Sequence, residues 1–365
     1  MNNIKTLFLH PFQDSAVSLG NGNIVKSLDK IFSLYLLKQK SYHFVFDKAK
    51  IYTLPNNFLF KSIYSILLSW KLLFSMDLLI GNGNLKEVPI VWLAKLLRPK
   101  IKYVFFIHTC YERFGQHKKA KGIMRLLYYS YAYLLSKADR VIAISDFSKK
   151  GFVKHMNLDP NKVDVVYNSV DTAFFNPTKK DVTFFKKFYG ISNTKKNVLY
   201  LSKFTQTKRA QLIPKIAKLL PQYNFIMHGR NEMGLYFNDV KNIYSTEERP
   251  PREDIPKLFA SADLFIFASE VEPCAAVITE AMASGLPLVA SRGGSVPDQV
   301  LEGKNAILID IRQGEISTFA KAIEPLLSND AQRKAFSIAS RKRSLDFDRL
   351  KIGKQYDKSF MKCWD

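Results

Sequence analysis

Two series of short apolar runs, each alternating with longer helical patterns, constrain this chain more than any other feature. The first series is TLFLH, MDLLIGNG, KYVFFIHT, RVIAIS and VDVVYNS; the second is NVLYLS, NFIMHG, NIYST, LFIFAS and PLVAS. Strand-length apolar runs separated by helical stretches are the pattern of a parallel sheet built from βαβ units. The restart after a looser region, residues 176–194, implies two such sheets, hence an α/β chain with two Rossmann-like domains facing one another. At 365 residues the chain is long enough for two cores of ordinary size. The break is expected near residues 174–180. Residues 1–175 then form the first domain and 176–345 the second, with a polar helix in residues 346–365 packing back on the first.

Ligands of such sheets bind at the carboxyl ends of the strands. The residues to inspect are therefore GNGN (residues 20–23), His108, Ser145, Lys203, Gly229 and Glu272, expected to converge on the cleft between the domains. Glu272 and Glu280 lie in SEVEPCAAVITEAMASGLP, where a helix is expected from about Ala275 to Gly285. Its residues are apolar nearly all round, and a carboxylate is almost never fully buried without a partner. Either Glu280 reaches an exposed edge or a lysine, or it lines a cleft and accepts hydrogen bonds from a ligand's hydroxyls.

Spacing separates two kinds of chemistry. Eight residues of helix span ~12 Å, whereas the carboxylate pair of a glycosidase stands ~5–9.5 Å apart around one bond. Glu272 and Glu280 therefore suit two ends of one extended ligand: a sugar, a diphosphate and a ribose. Lys203 and Lys208, at the turn from strand to helix in LYLSKFTQTKRAQL, either stand on a solvated face or neutralise that diphosphate, for which a helix start near Cys274, Ala275 and Ala276 would offer free backbone amides.

These residues together resemble a family. EPCAAVITEAMASGLPLVASRGGSVPDQV is similar to the Glu-x7-Glu signature of the GT-B glycosyltransferases of family 4, and DRVIAIS, VDVVYNSVDTAFFNP and ADLFIFASEVEP continue the likeness from Asp139 to Val300. The resemblance implies a GT-B fold and retaining transfer of a hexose or N-acetylhexosamine from a nucleoside-diphosphate sugar, a UDP-sugar by preference. It places Glu280 on the ribose hydroxyls, Glu272 near the transferred sugar, and Lys203 and Lys208 on the diphosphate. In the family's G-R-x-x-x-x-K-G pattern, Ser202 stands for the first glycine, Lys203 for the arginine and Arg209 for the second glycine. Lys203 keeps the charge but loses the bidentate fork. Cys274 and Ala275 occupy the usual Phe-Gly. In the first domain, Gly22 is the candidate for the glycine-rich loop near the phosphates, and His108 matches a histidine facing acceptor and donor sugar. The catalytic set implied is His108, Glu272, Lys203 and Lys208. No Asp-x-Asp motif appears, so no metal is expected, and no cofactor beyond the sugar nucleotide.

Charge bears on the acceptor. The formal charge is +23, and residues 1–172 hold 25 Lys/Arg against 11 Asp/Glu. Such a bias favours anionic partners. In residues 61–76 a helical projection puts Lys61, Ser62, Ser65, Ser69 and Lys71 on one half, with Ile63, Ile66, Leu67, Trp70, Leu73 and Phe74 opposite. KKAKGIMRLLYYSYAYLLSK (residues 118–137) adds cations beside four tyrosines. The apolar halves are expected to pack on their own sheet, while the basic surface docks on an anionic inner-membrane face, where a lipid-linked or lipopolysaccharide-type acceptor would lie. No run reaches the ~18–20 apolar residues of a spanning helix. Three dispersed cysteines suit a reducing cytoplasm, and MNNIKTLFLHPF reads as a first strand, not a secretory leader. Charge alone would also suit a nucleic-acid-binding protein, but the chain lacks an RNP-like strand, zinc-ligand spacing and a basic helix-turn-helix. A same-fold transferase with a soluble acceptor is the other alternative. A storage-polysaccharide synthase is disfavoured by the short chain, which lacks a Lys-Thr-Gly-Gly start.

Overall fold

The computed structural model describes residues 4–9, 32–39, 49–54, 67–191, 194–246, 250–311 and 315–365. The chain forms two compact units: Met1–Ser169 with Arg349–Asp365, and Val170–Asp348.

In the first unit, seven strands run β1 (Ile4–Phe8), β2 (Phe32–Gln39), β3 (Ala49–Leu54), β4 (Leu78–Gly81), β5 (Lys102–Ile107), β6 (Arg140–Ala143) and β7 (Val163–Val165). They lie in the order β3-β2-β1-β4-β5-β6-β7 and pair in parallel throughout. The central strands β4 and β5 are almost wholly buried, as their unbroken apolar runs require. Between strands run α1 (Glu87–Leu97), α2 (Ile123–Lys137) and α3 (Asp146–Met156). Helix α3 starts at Ser145, whose Oγ accepts from the Ser148 amide at 3.1 Å, and stops at Asn157 in a left-handed conformation. Strands β2 and β3 were not among the runs singled out above: SLYLLKQ and AKIYTL mix lysine into their apolar pattern, as suits the edge side of a sheet.

The helical segment 67–73 corrects the expected faces of residues 61–76. Ser69, assigned to the polar half, is fully buried, and Leu72, Leu73 and Met76 pack on the sheet beside it. Leu67, Trp70 and Phe74, assigned to the core, are 55%, 38% and 64% exposed. A projection finds an apolar side, but which part of it meets the sheet depends on where the helix lands. Residues 61–66 lie outside the described residues.

The second unit holds β8 (Asn197–Leu201), β9 (Asn224–His228), β10 (Ile243–Thr246), β11 (Leu264–Phe267), β12 (Leu288–Ser291) and β13 (Ala306–Ile309), ordered β10-β9-β8-β11-β12-β13 and again parallel. Its helices include α4 (Leu212–Leu219), α5 (Ala276–Ala283), α6 (Glu315–Ser328) and α7 (Asp330–Ser344). Phe319, Ile323 and Leu326 of α6 join Ile213 and Ile216 of α4 in one core with the sheet. Helix α5 ends as its Gly285 demands: Gly285 has φ +77°, its amide donates to the Met282 carbonyl at 2.9 Å, and Arg341 of α7 donates to the Ala283 carbonyl at 2.8 Å.

The boundary falls after Ser169, earlier than the expected residue 175. The Val170 amide donates to the Phe347 carbonyl at 2.9 Å, Thr172 Oγ1 to Asp348, and Phe175 stacks edge-on against Phe259. Those contacts tie residues 170–175 to the second unit. The chain then re-enters the first unit as α8 (Arg349–Met361), whose Ile352, Tyr356 and Phe360 pack with Phe8, Phe106 and Ile142. Phe360 has no exposed surface, so Phe360→Ala should destabilise the first unit by ~3–5 kcal/mol, read as a lower urea midpoint for that unit.

Candidate functional site

The winding of the second sheet changes direction at β8, which lies between β9 and β11. Loops leaving β8 and β11 therefore meet at the carboxyl edge. The loop after β8, residues 202–211, carries Lys203 and Lys208; the turn after β11 carries Glu270 and Glu272. A Cβ on Gly229, at the end of β9, would stand 1.9 Å from the Ser202 carbonyl oxygen, so glycine there lets the β8 loop follow its course.

Two of the residues expected from the sequence come together directly. Lys208 Nζ is ion-paired with Glu272 Oε1, which also accepts from Ser269 Oγ at 2.6 Å. Glu272 is only 6% exposed, so this pairing is what allows a carboxylate there. The two loops are joined through backbone as well: the Glu270 amide donates to the Thr207 carbonyl at 3.0 Å. Lys203 is held apart from this pair. Its Nζ lies 3.1 Å from Glu232 and its side chain is 64% exposed. Arg209 adopts φ +53°, the left-handed conformation for which the family pattern keeps glycine, and its guanidinium pairs with Glu315 at the start of α6. Such a conformation costs a side chain other than glycine's ~1–2 kcal/mol.

A diglycine presses on the same turn from β12. A Cβ on Gly293 would stand 2.1 Å from the Glu270 carbonyl oxygen, and one on Gly294, at φ +61°, 2.2 Å from that of Glu272. The Ser295 amide donates to the Glu272 carbonyl at 2.9 Å. The turn bearing Glu272 is thus gripped from both neighbouring loops.

Helix α5 starts at Ala276, so Glu272 sits in the turn before it, not on the same helix as Glu280. Cys274 and Ala275 are buried, and one expectation is corrected here. The Ala275 amide does not face outward: it donates to Gln299 Oε1 at 3.0 Å, while Gln299 Nε2 donates back to the Ala275 carbonyl at 3.0 Å. Gln299 was not singled out in the sequence, although it lies in the matched segment GGSVPDQV. Its role needs the fold, because 24 residues separate it from Ala275. The exposed Ala276 amide, first of the helix, has no acceptor among the described residues.

Glu280 sits between fully buried neighbours, Thr279 and Ala281. Among the described residues its carboxylate accepts no hydrogen bond; the charge that favours its ionised form is Arg252, a second residue missed in the sequence. Burial outweighs Arg252 and pushes its pKa up to about 7.

In the first unit, His108 follows β5 and its ring stacks on Phe106 at 5.6 Å between centroids. Gly22 and the rest of residues 20–23 lie outside the described residues. The same tetrapeptide, GNGN, recurs at residues 81–84, at the end of β4. There the fully buried Glu87 accepts from the Asn82 and Gly83 amides at 3.1 Å, fixing the turn beside the point where the first sheet changes direction.

Two outcomes follow. Gly294→Ala should displace the Glu272 turn, because the new Cβ meets the Glu272 carbonyl oxygen, and lower the thermal midpoint of the second unit. For Glu280, the folded protein holds the proton more tightly than the unfolded chain, from 4.5 up to about 7. Its burial therefore costs stability increasingly as pH rises through that window. Glu280→Gln should raise the thermal midpoint at pH 8, with the gain shrinking toward pH 5; a uniform loss at both values would contradict this.

Comparison with known proteins agrees with the geometry. The family model described as Glycosyl transferases group 1 matches residues 181–343, and that described as Glycosyltransferase Family 4 matches residues 41–174. The chain is 29% identical over 295 residues to N-acetyl-alpha-D-glucosaminyl L-malate synthase of Bacillus anthracis, covering 78% of this chain and 74% of that one. Its fold is similar to that of HepE of Anabaena in complex with UDP-glucose, with a TM-score of 0.74 at 21% identity over 98% of this chain and 100% of that one. WaaG, a glycosyltransferase involved in lipopolysaccharide biosynthesis, is similar with a TM-score of 0.68 at 14% identity, covering 97% and 98%. With both halves matched in order and each sheet all-parallel, the chain belongs to the glycosyltransferases of family 4 and has the GT-B fold.

Proposed function

We propose that this enzyme transfers a hexose or N-acetylhexosamine from a UDP-sugar to a hydroxyl of a lipid-linked or lipopolysaccharide-type glycan, retaining anomeric configuration and without a divalent metal. The observation that carries the reading is the place of the Glu280 carboxylate: on α5 between buried neighbours and accepting no hydrogen bond from the described residues, it is suited to a ligand's ribose hydroxyls. Glu272, held by Lys208 and Ser269, is the grip for the sugar's hydroxyls. Lys208, Lys203 and the Ala276 amide at the helix start meet the diphosphate. HepE, solved with UDP-glucose, supports a uridine donor, and WaaG supports a surface-glycan acceptor.

In this reading the bond from C1 to the phosphate oxygen breaks while C1 joins the acceptor oxygen on the same face. The departing phosphate oxygen takes the acceptor proton, so no protein nucleophile is required. The protein contributes position and charge: the lysines neutralise the diphosphate as it leaves, and His108 contacts the reacting sugars. With two lysines in that role, Mg²⁺ is dispensable, and the enzyme should stay active in excess EDTA. A complete loss restored by Mg²⁺ would overturn that part. A second reading keeps the donor and changes the acceptor to a small soluble molecule. The relative named for N-acetylglucosaminyl L-malate favours it.

The direct test is thermal stabilisation by UDP-, GDP- and ADP-sugars in parallel. A true donor at about 100 times its Kd should stabilise the fold by about 2.7 kcal/mol. The UDP-sugar is expected to give the largest shift, Glu280→Gln should reduce it, and no shift with any of the three would defeat the proposal. His108→Ala should keep the shift and lower kcat by roughly 10²-fold through lost positioning of the reacting sugars.

A further inference from the structure

In the first unit, the helical segment 67–73, α1 and α2 share one core on one side of the sheet. Their outward surfaces are apolar where solvent-facing helices are ordinarily polar. Leu67, Trp70 and Phe74 form one stripe at i, i+3 and i+7, and Trp92 and Leu96 of α1, 55% and 59% exposed, form a second at i and i+4. On α2, Ile123, Leu126 and Tyr129 are each at least 50% exposed. Singly exposed apolar residues are ordinary; three such stripes on helices that share a core are not.

Charge identifies what covers them. Residues 67–76, 88–100 and 113–138 carry no Asp or Glu. Lys71, Lys100, Lys118, Lys119, Lys121 and Arg125 are exposed within them. The acidic residue that opens α1, Glu87, is fully buried and faces the turn it holds. A two-fold contact between copies would set this one-signed face against itself, cation against cation. An anionic bilayer answers both features, taking the aromatic and aliphatic side chains at headgroup depth and the cations among its phosphates. Among the described residues no helix is long and apolar enough to cross a membrane, so the contact is one of a surface lying on a surface.

We propose that the outward face of segment 67–73, α1 and α2 docks the enzyme on an anionic lipid bilayer, with Trp70, Phe74, Trp92 and Tyr129 inserted at the interface. This deepens the lipid-linked acceptor reading by naming the surface that meets the lipid, and its test uses no transfer reaction.

The experiment is flotation of the full chain with phosphatidylcholine vesicles, with and without phosphatidylglycerol. Two of the three tryptophans, Trp70 and Trp92, lie on the face, so their emission should shift to the blue with the anionic vesicles alone. The triple variant Trp70→Ser, Phe74→Ser and Trp92→Ser should lose flotation. The variant Lys118→Gln, Lys119→Gln and Lys121→Gln should weaken it by about fivefold per cation, an effect that salt reproduces in the unaltered protein. Both variants should keep the stabilisation by UDP-sugar, which shows that the fold is intact. Equal binding to neutral vesicles, no binding to either, or a dimer in light scattering that the aromatic triple dissolves would each overturn the proposal. Loss of donor stabilisation in the unaltered protein, with flotation retained, would instead defeat the donor reading and leave docking standing.

Discussion

The short turn after β11 is the constraint on which the second unit's chemistry depends. Glu270 and Glu272 leave the sheet on a stretch of backbone gripped from two sides: by Thr207 in the lysine loop and by the Gly293–Gly294 pair after β12. Neither glycine has room for a Cβ, so the grip rests on backbone approaching backbone. Lys208 then meets Glu272 because both loops issue from neighbouring strands, β8 and β11. The pair is a consequence of the turn's placement, and the turn's placement is a consequence of the sheet order.

The two glutamates are stabilised in opposite ways. Glu272 is satisfied within the protein by a cation and a hydroxyl, so it is already arranged before any ligand arrives. Glu280 is left with Arg252 as its opposing charge and with burial acting against its ionised form. A protein optimised for stability alone would not keep such a carboxylate, and the expense is intelligible when a ligand completes the site. Arg209 is a second residue held at a cost, a side chain in the left-handed conformation with its guanidinium paired to Glu315.

Much of this was legible in the chain itself. The apolar runs located both sheets because parallel strands covered on both sides need continuous apolar sequence, and β4, β5, β11 and β12 are of that kind. The edge-side strands β2 and β3 were not, since lysines interrupt them. Glu272 and Glu280 were singled out within one segment, though as one helix, whereas α5 begins only at Ala276; Lys208 was singled out by its place at the turn after β8. Gln299 and Arg252 were not, because each meets its partner across more than 20 residues of intervening chain, and no local pattern marks them.

What the sequence determined by itself is therefore the class of the fold and the number of its sheets, which follow from the periodicity of apolar runs along the chain. Only the tertiary structure decided which amides remain open at the start of α5 and which lysine pairs with which carboxylate. It alone decided, too, which side of segment 67–73 faces outward. A projection around one helix axis carries no information about the neighbour it meets; packing against Leu79 and Tyr103 of the sheet chose Leu72, Leu73 and Met76, and left Trp70 and Phe74 outside.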